Sequence, residues 1–451
     1  MAGTDPRTII DPRTIIDETP MGTRQWIVIV LMILLNALDG FDVLSSAFAA
    51  PGISQEWGIP RTQLGIVLSA ELVGMGFGSV LLGSLADKIG RKIDMIICLV
   101  VMAVGMYMAH AATGVIELTV WRFLTGLGIG GMLAATNAVT AETSSKASRS
   151  LAMALYVIGY PVGGVIGGFA AQGWLLVDYD WRAVFLFGAI VTAVMIPLVI
   201  LLVPETPAFY AARRPEGAVA KINRSLRAFA KQQIDDLPAL PPKAAKPKVT
   251  DILSDSRLRP TTLMLAFGYM FHTLTFYYIL KFGVQIVADT GFSQPDAAST
   301  LTYANIGGAV GGALFGFLLK KWDIRWPTIS MCVLGVVAVA WFGMGHGSLG
   351  AWRFAGFLTM FFLNAAIVGY YAAFARGFPA YARATGTGFV LGVGRAGAAG
   401  SPIIAGFLFD VLGKEQLLTV SLIMCAGSLL GAVMVWLVPL RDADDIVAGK
   451  I

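Results

Sequence analysis

About twelve apolar segments run through this chain, each near the twenty residues a helix needs to cross a hydrocarbon layer about 30 Å thick. They lie near 26–48, 62–84, 93–112, 117–140, 150–173, 182–203, 260–285, 298–319, 327–345, 351–372, 384–409 and 416–438. The predicted fold class is therefore an all-α polytopic membrane protein. Charged residues make up 14% of the chain, against about 25% in a typical soluble domain. That balance argues against a soluble domain, a disordered chain or a nucleic-acid module. Three cysteines, Cys98, Cys332 and Cys425, lie inside apolar runs with no metal-ligand spacing, so they read as packing residues rather than a disulfide scaffold or a metal site.

Residues 1–22 are polar, carry no cleavable leader pattern, and repeat Asp-Pro-Arg-Thr-Ile-Ile at 5–10 and 11–16; a disordered cytoplasmic tail is expected there. The expected organisation continues with a six-helix half over 23–205, a Lys-, Arg- and Pro-rich linker over 206–258, a second six-helix half over 259–440, and a tail over 441–451. The net charge of +5 is mostly a topology signal. With both termini on one side, that side holds 26 of the 33 Lys and Arg, the other side holds four, and Arg122, Lys281 and Arg395 lie within spans. The rule that basic loops stay inside then puts both termini in the cytoplasm.

The halves echo each other. Trp121-Arg122-Phe123 opens the fourth span and Trp352-Arg353-Phe354 the tenth; Gly83-Ser-Leu-Ala-Asp87-Lys-Ile-Gly90-Arg91-Lys92 follows the second span, with a degraded Gly316 to Lys321 after the eighth. Two parallel repeats imply a substrate site between pseudo-symmetric halves at the membrane midplane. The turn at Gly83, Asp87, Gly90 and Arg91 reads as a cytoplasmic gate in which two helices meet closely and charges pair.

The 83–92 turn, Arg122-Phe-Leu-Thr-Gly-Leu-Gly-Ile-Gly-Gly131 and Pro204-Glu205-Thr206-Pro207 together resemble the major facilitator superfamily, over residues 24 to 440. Asp39-Gly40-Phe41-Asp42 in the first span, with the Gly-rich run from Pro379 to Pro402 leading into and through the eleventh, resembles its aromatic acid:proton symporters. That resemblance implies import of a hydroxybenzoate-type acid with a proton as coupling ion and no other cofactor. It also implies that Asp39, Asp42, Asp87 and Arg122 matter here. The lost acid and glycines after Gly316, and the Glu142 to Arg149 turn with little basic charge and no proline, depart from the family pattern.

Elementary chemistry selects similar residues. Asp39 and Asp42 are three apart and share a helix face, where two ionised carboxylates at membrane depth are costly. They are expected to couple protons or position the substrate, or else to cap a helix break at Gly40. A transported carboxylate needs a cation in a dry cavity, and Arg122, Arg395, Lys281 and His272 are the candidates. Each has a plainer alternative: Arg122 locking its span to neighbours, Arg395 packing or gating, Lys281 snorkelling outward, His272 in an interhelical hydrogen bond. Tyr277, Tyr303 and Tyr370, with Phe276, Tyr278 and Tyr371, offer flat walls for a ring. Asn36, Asn137, Asn305 and Asn364 add polar groups within spans, and Glu71 reads either as a second proton site or as the partner of an arginine.

The lack of a Walker pattern argues against ATP drive, and three scattered histidines offer no enzyme site. The chain is expected to be a monomeric secondary importer in a bacterial inner membrane, with membrane lipid around it and no nucleic-acid partner. An importer of a muconate- or lactone-like acid and a proton-coupled exporter are the alternatives.

Overall fold

A computed structural model describes residues 11–239, 248–319 and 322–439. Twelve spanning helices are numbered α1 to α12. The first six are α1 (Thr23–Trp57), α2 (Arg61–Ile89), α3 (Arg91–Ala111), α4 (Val115–Thr143), α5 (Arg149–Leu175) and α6 (Arg182–Leu202). The second six are α7 (Leu258–Asp289), α8 (Gln294–Leu318), α9 (Arg325–Gly343), α10 (Leu349–Gly377), α11 (Arg383–Leu412) and α12 (Lys414–Leu437). Their ends follow local chemistry. Gly58 closes α1 in the left-handed conformation at φ 57°, and the Ser293 and Ser348 hydroxyls cap α8 and α10.

Within the first half α2 packs on α4, α1 on α5 and α3 on α6. The second half repeats this with α8 on α10, α7 on α11 and α9 on α12. The halves meet where α2 faces α11, α5 faces α8 and α1 faces α7. The apolar core is not uniform along the bundle. At the end away from the termini one cluster runs through both halves, taking in Phe48, Leu64, Tyr278, Val284, Leu301 and Phe409. Towards the termini it divides into two clusters, essentially one per half. Leu34, Phe77 and Val157 in the first half and Phe354 and Ile423 in the second remain exposed, as lipid-facing residues should.

The polar contacts between halves cluster at the far end. The Arg61 guanidinium meets Asp289 at 2.6 Å. The Asp410 carboxylate accepts from the Arg61 and Thr62 amides at 2.8 and 2.7 Å, at the exposed start of α2. Gly406 and Gly65 let α11 and α2 touch backbone to backbone; a Cβ on Gly65 would stand 2.8 Å from the Pro402 carbonyl carbon.

The amino-terminal tail corrects one expectation. Residues 12–18 form a helix, not a disordered strand of tail, because Asp11 caps it and Ile15 and Ile16 are buried. The backbone carbonyl of Asp17 accepts from the Lys146 amide at 3.0 Å, and its carboxylate pairs with Arg149. The first copy of the repeat, Pro241, Pro242, Pro247, Lys320, Lys321 and the 441–451 tail lie outside the described residues.

Candidate functional site

The acid pair of α1 is fully enclosed. Asp39 and Asp42 have no exposed surface, and none of their four carboxylate oxygens has a hydrogen-bond partner among the described residues. No helix break exists for them to cap: α1 runs unbroken through Gly40. The glycine serves close packing instead, since a Cβ there would stand 2.9 Å from the Tyr160 carbonyl carbon on α5. This contact puts the Asp39 carboxylate within electrostatic range of Tyr156 and Tyr160. Asp42 backs onto Gly188 of α6, with Arg122 as its neighbouring cation.

Arg122 and Lys281 are already committed. Both are fully buried, and both pair with the same carboxylate, Glu71 of α2. Arg122 also donates to the Asp42 backbone carbonyl at 2.8 Å, and its guanidinium lies 5.2 Å from the centre of the Phe185 ring. Lys281 does not snorkel outward. It reaches across from α7 into the first half, donating to the Val43 carbonyl at 2.5 Å. Ser46 donates to Glu71 at 3.2 Å, which completes a ring of donors about one acid. Glu71 thus answers to the arginine-partner reading, and its bond to Lys281 is the connection that sequence reasoning missed. The signal that could have found it is an in-span acid in the first half and an in-span lysine in the second.

Arg395 differs from the other two cations. It is partly exposed, although it sits inside the bundle on α11, and it has no hydrogen bond or ion pair among the described residues. Its charge lies within electrostatic range of the hydroxyls of Tyr160 on α5 and of Tyr269 and Tyr277 on α7. Tyr371 of α10 joins them, its hydroxyl 3.3 Å from that of Tyr269. A guanidinium without an acid among the described residues, with tyrosines of both halves near it, offers what a flat ring bearing a carboxylate would need.

The remaining candidates stand apart from it. His272 is held inside the second half, 2.9 Å from both the Ser428 hydroxyl and the Leu363 carbonyl, so the interhelical reading describes it. Tyr370 is buried against His272 at a ring separation of 5.6 Å, and Tyr278 bonds Ser421 at 2.9 Å. Tyr303 is exposed with its ring 5.5 Å from the Arg353 guanidinium. Of the proposed ring contacts, Tyr277 lies within electrostatic range of both Arg395 and Tyr371.

The 83–92 turn is a knot of charges within the first half. Gly90 takes φ 108°, which a side chain would strain, and so turns α2 directly into α3. Arg91 pairs with Asp87 at 2.6 Å and with Glu142 of α4 at 3.3 Å, while Gly83 faces Ala134 of α4. Glu205 explains the Pro-Glu-Thr-Pro motif. Its two carboxylate oxygens accept from the Arg91 and Lys92 amides at 3.0 and 3.1 Å, at the first turn of α3. Burial pushes its carboxyl above the ordinary value, while the amides of Thr206, Lys92 and Arg91 oppose that shift. Glu205→Ala is expected to cost about 1–2 kcal/mol, by leaving those donors unmet at a helix start. Thermal unfolding in detergent would read this as a lowered Tm, and an unchanged Tm would show the cap to be dispensable.

Comparison with known proteins agrees with this architecture. The Major Facilitator Superfamily model matches residues 32–285. The chain is 31% identical over 426 residues to the gallate transporter of Pseudomonas putida, covering 91% of each. It is 29% identical to the 4-hydroxybenzoate transporter PcaK of the same organism, covering 96% of this chain and 97% of that one. It is also 27% identical to the 3-(3-hydroxy-phenyl)propionate transporter of Escherichia coli, covering 85% and 87%. Among solved structures, a bacterial homologue of the human lysosomal transporter Spinster, inward-facing and occupied, superposes with a TM-score of 0.72 at 16% identity over 91% of this chain and 96% of that one. The inward open xylose transporter XylE of E. coli gives 0.69 at 13% identity, over 94% and 99%.

Proposed function

Because this chain belongs to the Major Facilitator Superfamily, among its aromatic acid transporters, and is a multi-pass membrane transporter rather than an enzyme, we propose that it imports a hydroxybenzoate-type carboxylate together with a proton. The observation that carries the reading is Arg395, partly exposed and without a hydrogen bond or ion pair among the described residues, with tyrosines from both halves within electrostatic range. Arg122 and Lys281 are each paired with Glu71 and bonded to a backbone carbonyl. Basic-residue bias supports cytoplasmic termini in a bacterial inner membrane. On that orientation the core shared by both halves lies at the outer end, and the core divides into one cluster per half towards the cytoplasm.

The proton belongs to the acid pair. An enclosed carboxylate without donors is costly to keep ionised, so occupancy by protons at Asp39 and Asp42 favours this closed arrangement. Import then follows by alternating access: substrate and proton enter from outside, the halves rock, and both leave towards the cytoplasm.

The test is uptake of labelled 4-hydroxybenzoate into proteoliposomes under an inward proton gradient, with a protonophore control and protocatechuate, vanillate, benzoate and muconate as competitors. Uptake that is sensitive to the protonophore and competed by aromatic acids is expected. Gradient-independent or outward-directed flux would overturn symport, and muconate as the strongest competitor would move the substrate to the non-aromatic acids.

A further inference from the structure

Lys281 is a buried cation whose bonded partners sit on the opposite half. Its ammonium bonds Glu71 on α2 and the Val43 carbonyl on α1, while Lys281 itself rides on α7 of the second half. Opening the outer end must draw α7 away from α1 and α2. Glu71 loses little by this, because Arg122 pairs with it from within its own half. Lys281 loses everything: the nearest acid along α7 is Asp289, two turns on and bonded to Arg61 and Gln285. A cation stripped of its counterion in an apolar wall of Phe282 and Ile279 needs a replacement anion.

We infer that Lys281 alternates between two carboxylates: Glu71 when the outer end is closed, and the carboxylate of the transported acid when it is open. This rests on the importer reading above. Lys281 is then the first anchor the acid meets from outside, and Arg395 the second, deeper one. Passing the acid to Arg395 frees the ammonium to take Glu71, which seals the outer path behind the cargo. Glu71 acts as a positioning residue, since it competes with substrate for Lys281 without touching it.

Two readouts test this. Spin labels at Gly114→Cys and Gly347→Cys, on outer loops of the two halves with open space at both positions, report the outer distance. Glu71→Gln should add a longer-distance population absent from the parent, with Glu71→Asp as the second variant should the amide not fold. An unchanged distance overturns the tether. In right-side-out vesicles Lys281→Gln should raise the KM for external 4-hydroxybenzoate about ten- to hundredfold. In inverted vesicles its KM should stay near the parent value, and Lys281→Arg should restore the external KM. A structural lesion would move both KM values equally, and that result overturns the anion role. Absence of 4-hydroxybenzoate uptake by the parent would remove the importer reading and the anion role together, while the label distances still decide the tether.

Discussion

Arg395→Ala is expected to lower kcat/KM for 4-hydroxybenzoate by about 100-fold or more, the loss typical of removing one partner from an enclosed, hydrogen-bonded charge pair. The expectation follows from how the three in-span cations spend their donors. In this arrangement Arg122 and Lys281 are both paired with Glu71, Arg122 from within its own half and Lys281 across the closed outer end, so neither is open to the acid here. Arg395 has no such commitment and faces Tyr160, Tyr269 and Tyr277. Arg395→Lys should recover only part of the loss, because an ammonium keeps the charge but not the planar fork that grips a carboxylate with two parallel bonds. Initial rates at matched protein levels in proteoliposomes measure both variants. A wild-type KM in Arg395→Ala would assign this arginine to packing.

Asp39→Asn and Asp42→Asn should each abolish accumulation against a gradient while leaving exchange of labelled for unlabelled acid across the membrane. The amide keeps the shape of the side chain but cannot carry a proton. Each imposed pH unit is worth about tenfold in accumulation per coupled proton; the variants should show none of it and settle at equal concentrations on both sides. Accumulation at the parent level in both variants would take the acid pair out of the coupling step. Loss in one variant alone would assign the proton to that carboxylate.

The sequence disclosed the spans, the division into halves and the acid pair, because all three are local signals: segment length, hydropathy and a spacing of three residues. It disclosed Arg395 as one candidate among four and had no means of ranking it. The ranking depends on which cations find acids, and Glu71 lies 51 residues from Arg122 and 210 from Lys281. The bonds of His272 were out of reach for the same reason, since Ser428 and the Leu363 carbonyl that hold it are remote in the chain. The short helix over Pro12–Glu18 was hidden by polar composition. Only two isoleucines in its one described turn pair reach the core, too few for a periodic pattern to register.

The backbone contact between α2 and α11 has a mechanical consequence. Where Gly65 meets Pro402 and Gly406 meets Arg61, no side chain from either glycine is wedged into the opposing helix. Surfaces that interlock through side chains must change rotamers to come apart, whereas smooth ones slide with little friction. At these two points the helices carry no interlocking side chains, and what clasps them there is polar: the Asp410 carboxylate on the Arg61 and Thr62 amides, a fastening that water can replace where a toothed apolar seam would have to be repacked.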